Sequence, residues 1–129
     1  MKITSDLQGF RLAGISPATM PPYFFHLFQY DLLLKAGTSL EEIQKKYAVR
    51  AEVRSTHTSH NSFSWDCKLP YLVESQLILT ELGMIFEHKL FEKNVRQKLI
   101  LTHTRLIVLQ DENGRSKIIP KELREKLTQ

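Results

Sequence analysis

The 129-residue chain lacks most of the features that would place it outside the ordinary globular class. Its one cysteine, Cys67, excludes an internal disulfide and is typical of a reducing compartment, so we expect a cytoplasmic protein. No apolar run approaches the roughly 18 residues of a membrane span, and the N-terminal segment lacks the apolar core of a signal peptide. The net charge of +4 includes no dense block of lysine and arginine, which argues against nucleic acid as a partner.

The length and composition predict a single domain over residues 1–129. The chain is 42% hydrophobic and 25% charged, as in ordinary soluble proteins. It contains no internal repeat and no low-complexity segment, and a chain of this length can bury a core without disulfides or a structural metal.

The most informative segment is 14–37, in which a proline-rich loop precedes an apolar helix. Pro22 fits the first helical turn, where a missing N–H costs nothing, and Gly37 is a common helix terminator. We therefore predict a helix over 22–36. This helix is apolar on nearly every side, so it must be buried by a larger element.

The remaining chain predicts mainly strands joined by short turns. Ser39 and Glu42 form a capping box before a short helix at 40–46, and Asn113-Gly114 is a strong hairpin signal. Strands are expected over 9–13, 58–67, 73–82, 84–91 and 95–109, followed by a short terminal helix at 122–127.

Consecutive hairpins predict an antiparallel sheet, and the one long connection holds the helix. The simplest packing is an α+β fold in which the sheet curls around the helix. Met84, Phe86, His88 and Leu90 alternate toward one face of their strand. Together with the aliphatic residues of the last strand, the apolar members of this set should pack on the helix side chains, namely Tyr23, Phe24, Leu27, Phe28 and Leu32 to Leu34.

The arrangement resembles the hotdog fold, in particular the small acyl-CoA thioesterases of the 4-hydroxybenzoyl-CoA type. The resemblance covers roughly residues 9–127 and rests on order and spacing rather than on one specific motif. Its parts are Ser16-Pro17-Ala18-Thr19 with Tyr23, the helix end Leu33 to Gly37, Trp65 to Pro70 before Val73-Glu74, Leu79 to Gly83 with Phe86, and Asp111 to Arg115 with Ile119-Pro120 and Leu123.

The resemblance implies a thioester site at the start of the helix. In the family, an acid in the preceding loop drives hydrolysis, and a backbone N–H at the helix N-terminus polarises the carbonyl. Here the acid position is Ser16, and the family's glycine is Thr19. Tyr23 falls on the residue that donates the N–H. The carbonyl-binding half of the site therefore matches, whereas the acidic half does not.

Three further residues are candidates for the missing chemistry. His26 is either a base at the thioester or a buried, hydrogen-bonded core histidine. Asp31 is either a cleft carboxylate or the partner of Lys35 in a surface ion pair. His60 could orient water from the strand beside the helix. His57 and His60 point to opposite strand faces, so no metal site is expected.

A basic group stands at the start of the last long strand. Lys93, Arg96 and Lys98 could bind the phosphates of coenzyme A or an acyl carrier protein, or they could be solvated strand-end charges.

The leading hypothesis is a homodimeric or homotetrameric thioesterase acting on acyl-CoA or acyl carrier protein, with coenzyme A as part of the substrate and no other cofactor. The alternative is a non-catalytic hotdog protein that binds acyl thioesters or other hydrophobic ligands. An aromatase, cyclase or dehydratase on the same scaffold is a third class, although the Asp and His pair of the hydratase branch has no convincing match.

Overall fold

The computed structural model describes residues 2–6, 23–60, 71–92 and 99–128. The elements, in chain order, are β1 (Lys2–Asp6), α1 (Tyr23–Lys35), α2 (Leu40–Tyr47), β2 (Arg50–His60), β3 (Tyr71–Leu79), β4 (Gly83–Glu92), β5 (Leu99–Gln110), β6 (Ser116–Lys117) and α3 (Lys121–Leu127). The α+β class is confirmed. No helix within the described residues is long and apolar enough to cross a membrane.

The strands form one antiparallel sheet in the order β1-β3-β4-β5-β2, and β6 pairs with β5. The predicted hairpins β3–β4 and β5–β6 are both present. In the second, Gly114 adopts φ +77°, a left-handed conformation that favours glycine. β1 and β2 are the edge strands of the path.

Helix α1 spans 13 residues and is therefore shorter than the long central helix that was expected. Its end is fixed by backbone geometry. Gly37 has φ +80° and donates its N–H to the carbonyl of Leu34, and Thr38 donates to the carbonyl of Leu33. These two bonds constitute a Schellman motif, which satisfies carbonyls that the helix leaves free.

The predicted cap of the second helix is present. Ser39 Oγ accepts a hydrogen bond from the Glu42 N–H at 3.2 Å, so one of the unpaired amides of α2 is satisfied. This fixes the start of α2 directly after α1, and the buried side chain of Ile43 then reaches the core.

Two apolar clusters lie under and beside α1. The main core cluster contains Leu32, Leu33, Ile43, Val49, Leu77, Met84, Phe86, Ile107, Leu109, Ile119, Leu123 and Leu127. The minor core cluster contains Phe25, Phe28, Tyr71, Val73, Leu90, Ile100 and Leu101. The C-terminal half of α1 therefore packs into the main core cluster, and its N-terminal half packs into the minor one.

The alternation predicted for β4 is confirmed, because Met84, Phe86, His88 and Leu90 are all buried. The strand predicted over 58–67 corresponds to β2. Its predicted start at residue 58 is wrong, since β2 begins at Arg50. From Arg54 to His60 this edge strand is polar on both faces, so that part carries no apolar alternation for a sequence pattern to detect. The strand expected at 9–13 lies outside the described residues.

The expectation that α1 is buried on all sides is wrong. Leu27, Tyr30 and Leu34 are exposed by 65%, 55% and 56%. Their spacing of three and four residues places them on one helix face, which we call the exposed stripe. A single sheet covers only the opposite face of the helix.

Candidate functional site

Four polar residues occupy neighbouring positions on the face of the sheet that α1 covers. The strand registers pair Ser75 with His88, His88 with His103, and His103 with Thr58. These four residues, here called the polar row, cross β3, β4, β5 and β2 in one line. On β3 and β4, the next inward positions on both sides of the polar row are apolar. Val73 pairs with Leu90 on one side, and Leu77 pairs with Phe86 on the other.

Hydrogen bonds hold both ends of the polar row. His88 Nδ1 lies 2.8 Å from Ser75 Oγ, and His103 Nδ1 lies 2.8 Å from Thr58 Oγ1. Ser75, His88 and His103 are buried, whereas Thr58 on the edge strand is exposed. The polar row therefore runs from the protein interior to the open edge of the sheet.

The N-terminal half of α1 lies directly over this row. The Phe25 ring stacks on His103 at 4.6 Å between centroids and on His88 at 5.6 Å. Burial is the main cause that lowers the pKa of His88 to about 3 and the pKa of His103 to about 4. Both rings are therefore neutral at pH 7.

Arg105 follows His103 by two positions on β5 and so faces the same side of the sheet. It is only 8% exposed. Its NH1 donates a hydrogen bond to His26 Nε2 at 3.0 Å. Among the residues that the structure describes, two nearby buried nitrogens, Arg105 Nε and His103 Nε2, have no hydrogen-bond partner. The ion pairs between described side chains join Lys46 to Glu122 and Lys89 to Glu87, and neither involves Arg105.

This contact restricts the chemistry of His26. A guanidinium only donates hydrogen bonds, so His26 Nε2 must be the acceptor and the proton of the neutral ring must lie on Nδ1. Burial, followed by the charge of Arg105, lowers the pKa of His26. The ring is exposed, so His26 is not the buried core histidine of the sequence hypothesis. Its geometry suits a hydrogen-bond donor at Nδ1 better than a base at Nε2.

A cavity of about 360 Å³ adjoins His26 and is lined by His26, Gln29, Tyr30, Leu33, Ser39, Leu40 and Glu41. Another cavity, of about 410 Å³, lies between α2 and α3 and includes Lys45, Lys46 and Lys126 in its wall. The cavity at His26 is the candidate ligand site, because of these two it alone is lined by His26, the residue that contacts Arg105.

The other candidates from the sequence are dispersed. Tyr23 is the first residue of α1, next to the predicted helix start at residue 22. Asp31 is exposed and takes part in neither of the ion pairs above, so the predicted pair with Lys35 is not formed. His60 pairs in register with Leu101 at the end of β2. Ser16, Lys93, Arg96 and Lys98 lie outside the described residues.

His103 and Arg105 were missed by the sequence analysis. The signal was present, because inward positions of β5 alternate as Leu101, His103, Arg105, Ile107 and Leu109. Two basic residues at inward positions of an otherwise apolar strand conflict with simple core packing, and such conflicts often mark functional sites.

The fold itself is of a known structural class. Solved hotdog-fold thioesterases match the chain over almost its entire length, so the predicted resemblance is confirmed for the fold. No protein-family model matches the chain, and no curated protein matches it in sequence.

Three solved structures illustrate the likeness. A 1,4-dihydroxy-2-naphthoyl-CoA thioesterase from Synechocystis superposes with a TM-score of 0.75 at 12% identity, covering 99% of this chain and 96% of that one. The 4-hydroxybenzoyl-CoA thioesterase from a Pseudomonas species has a TM-score of 0.66 at 14% identity, covering 97% and 98%. A 12:0-ACP thioesterase from Umbellularia californica has a TM-score of 0.73 at 18% identity, covering 98% of this chain but 52% of that one.

Proposed function

We propose that the protein is an acyl thioesterase that hydrolyses acyl-CoA or acyl carrier protein thioesters. The observation that carries this proposal is the fold match over nearly the whole chain with thioesterases acting on such substrates. In the proposed arrangement the sheet wraps around α1 as the central helix. The thioester carbonyl lies at the N-terminus of α1, near the amide of Tyr23.

The electrostatics of the first helical turn support this position. Helix N-termini carry unpaired N–H groups and partial positive charge. The first turn of α1 contains no acidic residue that would neutralise this charge. His26 lies about one turn further along α1, and Arg105 of β5 contacts it there. The helix N-terminus therefore favours the negative charge that develops on a thioester oxygen during attack, and Arg105 adds positive charge nearby.

In the proposed reaction, water attacks the carbonyl carbon, the carbon–sulfur bond breaks, and the thiol of the carrier leaves with a proton. Asp31 and His60 are the candidate bases, and Ser16 is a candidate nucleophile or water ligand. His26 supplies a hydrogen bond from Nδ1. Lys93, Arg96 and Lys98 would hold the phosphates of the carrier.

The test is a hydrolysis panel of short, long, aromatic and branched acyl-CoA substrates, repeated with acyl carrier protein. Turnover by the wild type above a heat-inactivated control is expected. Two variants accompany it: Tyr23→Pro, which deletes the proposed donating N–H, and Tyr23→Phe, which keeps it. Loss of turnover in the first variant alone supports the backbone role. An inert wild type across the panel contradicts the enzymatic proposal.

A non-catalytic role is the second candidate, because Ser16 occupies the position where the resembled family has its acid. In that case the wild type binds acyl thioesters without hydrolysing them, and Ser16→Asp creates hydrolysis. Ser16→Asn is the matched control, since it adds similar volume without a carboxylate. Robust wild-type turnover rejects this candidate.

We further propose that the protein is a cytoplasmic homodimer or homotetramer. The exposed stripe of Leu27, Tyr30 and Leu34 leaves apolar surface open on α1, and β2 leaves an unpaired strand edge. A second copy would cover both features. A monomeric mass at micromolar concentration by light scattering contradicts this assembly, whereas Leu34→Glu should weaken it and Ile118→Glu, at another exposed site, should not.

A further inference from the structure

The charge of Arg105 is unbalanced in the described structure. The side chain is 8% exposed, and its hydrogen bond to protein is made to the neutral ring of His26. Burial lowers the pKa of Arg105, but a guanidinium stays protonated at any physiological pH. A buried cation without an anion is costly, so the fold retains this charge against its own stability.

The histidines beside Arg105 carry no negative charge, and each can offer a hydrogen-bond donor to a ligand. Neutral His26 has its proton on Nδ1, because Nε2 accepts from Arg105. His103 Nε2 is buried without a partner in the described part of the chain, and Thr58 lies within hydrogen-bond distance of Nδ1 of the same ring. When Thr58 donates to Nδ1, the His103 proton lies on Nε2. These groups are complementary to a negatively charged oxygen.

The cavity beside α1 meets this charge only through His26, since Arg105 is not among the residues of its wall. His26 forms part of the wall of that cavity and touches the guanidinium at 3.0 Å. His26 follows Tyr23 by three residues, which corresponds to a rise of about 4.5 Å along the helix axis. A ligand with its thioester at Tyr23 would therefore bring a group only a few bonds away to His26 and Arg105.

We propose that Arg105 and His26 form a carboxylate site, and that the preferred ligands are thioesters of short dicarboxylic acids. This proposal rests on the proposed function, since it assigns the acyl group of the same site. His26 Nδ1–H donates to the terminal carboxylate, and the Arg105 guanidinium, held at Nε2 of the same ring, supplies the positive charge that attracts it. The thioester carbonyl meets the start of α1. Charge-assisted hydrogen bonds of this kind are about twice as strong as neutral ones.

Binding of non-hydrolysable thioethers separates this proposal from catalysis. The probes are 3-carboxypropyl-CoA and butyl-CoA, which differ in a terminal carboxylate against a methyl group. Calorimetry should give at least about tenfold tighter binding of the carboxylate probe to the wild type. Arg105→Gln should remove this preference, Arg105→Lys should keep part of it, and Arg115→Gln, which removes an exposed charge, should leave it unchanged.

Equal affinity of the two probes for the wild type would overturn the proposal, as would a preference that survives in Arg105→Gln. A change of oligomeric state in Arg105→Gln with an unchanged preference would also overturn it, because the counter-ion would then belong to a second copy. Thermal melts establish that each variant is folded. Hydrolysis of succinyl-CoA and butyryl-CoA is measured separately, so an inert protein that still prefers the carboxylate probe refutes the enzymatic proposal alone.

Discussion

The two halves of α1 contact the same sheet through different side chains, apolar in the C-terminal half and partly polar in the N-terminal half. The C-terminal half places Leu32 and Leu33 in the main core cluster, where both are fully buried among apolar side chains. The N-terminal half places Phe25 over two histidines and His26 against a buried arginine. One end of the helix therefore stabilises the fold, whereas the other end covers groups that cost stability.

The difference teaches where function is to be sought in this molecule. Apolar burial contributes about 25 cal/mol per Å² and needs no partner geometry. Buried histidine and arginine side chains contribute little unless every polar atom is paired, and here His103 Nε2 and Arg105 Nε are not. A stability argument explains the main core cluster but leaves the polar row and Arg105 unexplained.

The largest expected effect comes from breaking the apolar half. Leu32→Ala should lower the free energy of unfolding by about 2 to 5 kcal/mol, because it leaves a cavity in the main core cluster. Leu82→Ala makes the same chemical change at a position that is 42% exposed and should cost less than about 1 kcal/mol. Urea unfolding measures both, and equal losses would contradict the assigned core.

The pH dependence of stability tests the polar half. The pKa values of His88 and His103 are lowered to about 3 and about 4 in the folded state. Below about pH 6.5 the unfolded chain binds protons that the folded chain does not, so stability falls as the pH falls. Between pH 7.5 and 5 we expect a loss of about 2 kcal/mol for each histidine.

Two variants assign that pH dependence to the buried rings. His103→Gln should remove about half of the loss of unfolding free energy between pH 7.5 and 5. This holds whether or not the substitution changes the stability at pH 7.5. His57→Gln, at an exposed position on β2, should leave the loss unchanged. Urea unfolding at both pH values provides the measurement. A wild type that is equally stable at both would show that the two rings are accessible to protons in the folded state.

The apolar half could be predicted from the sequence, whereas the contacts of the polar half could not. Gly37, the Ser39 cap and the alternation from Met84 to Leu90 are local signals, and each specified its element correctly. Such signals act within a few residues of the chain. They are sufficient for the end of α1, the start of α2 and the inward face of β4.

The site depends on contacts between distant segments. His26 meets Arg105 across 79 positions, and Thr58 meets His103 across 45. No local pattern encodes these pairs, because they follow from strand register and from the angle at which α1 crosses the sheet. His26 was identified as a candidate, but its partner and therefore its protonation state came only from the tertiary structure.

Removing the buried charge should stabilise the protein. Arg105→Met replaces an unbalanced cation with an apolar chain of similar length, and we expect the free energy of unfolding to rise by about 1 to 3 kcal/mol in the absence of ligand. Arg115→Met, at an exposed position, should change it by less than about 0.5 kcal/mol. Denaturant unfolding at pH 7.5 gives both values, and destabilisation by Arg105→Met would mean that the charge is already balanced.

The smallest expected effect lies at the edge of the polar row. Thr58→Val keeps the shape of the side chain but removes the hydroxyl 2.8 Å from His103 Nδ1. Both nitrogens of that buried ring would then lack a partner, so we expect a loss of about 0.5 to 1.5 kcal/mol. Thr56→Val is the matched control, since Thr56 is also exposed on β2 and pairs in register with Arg105. Because valine favours a strand, the control should be neutral or slightly stabilising. If the two variants unfold alike, water already satisfies His103, and the polar row is open to solvent at its β2 end.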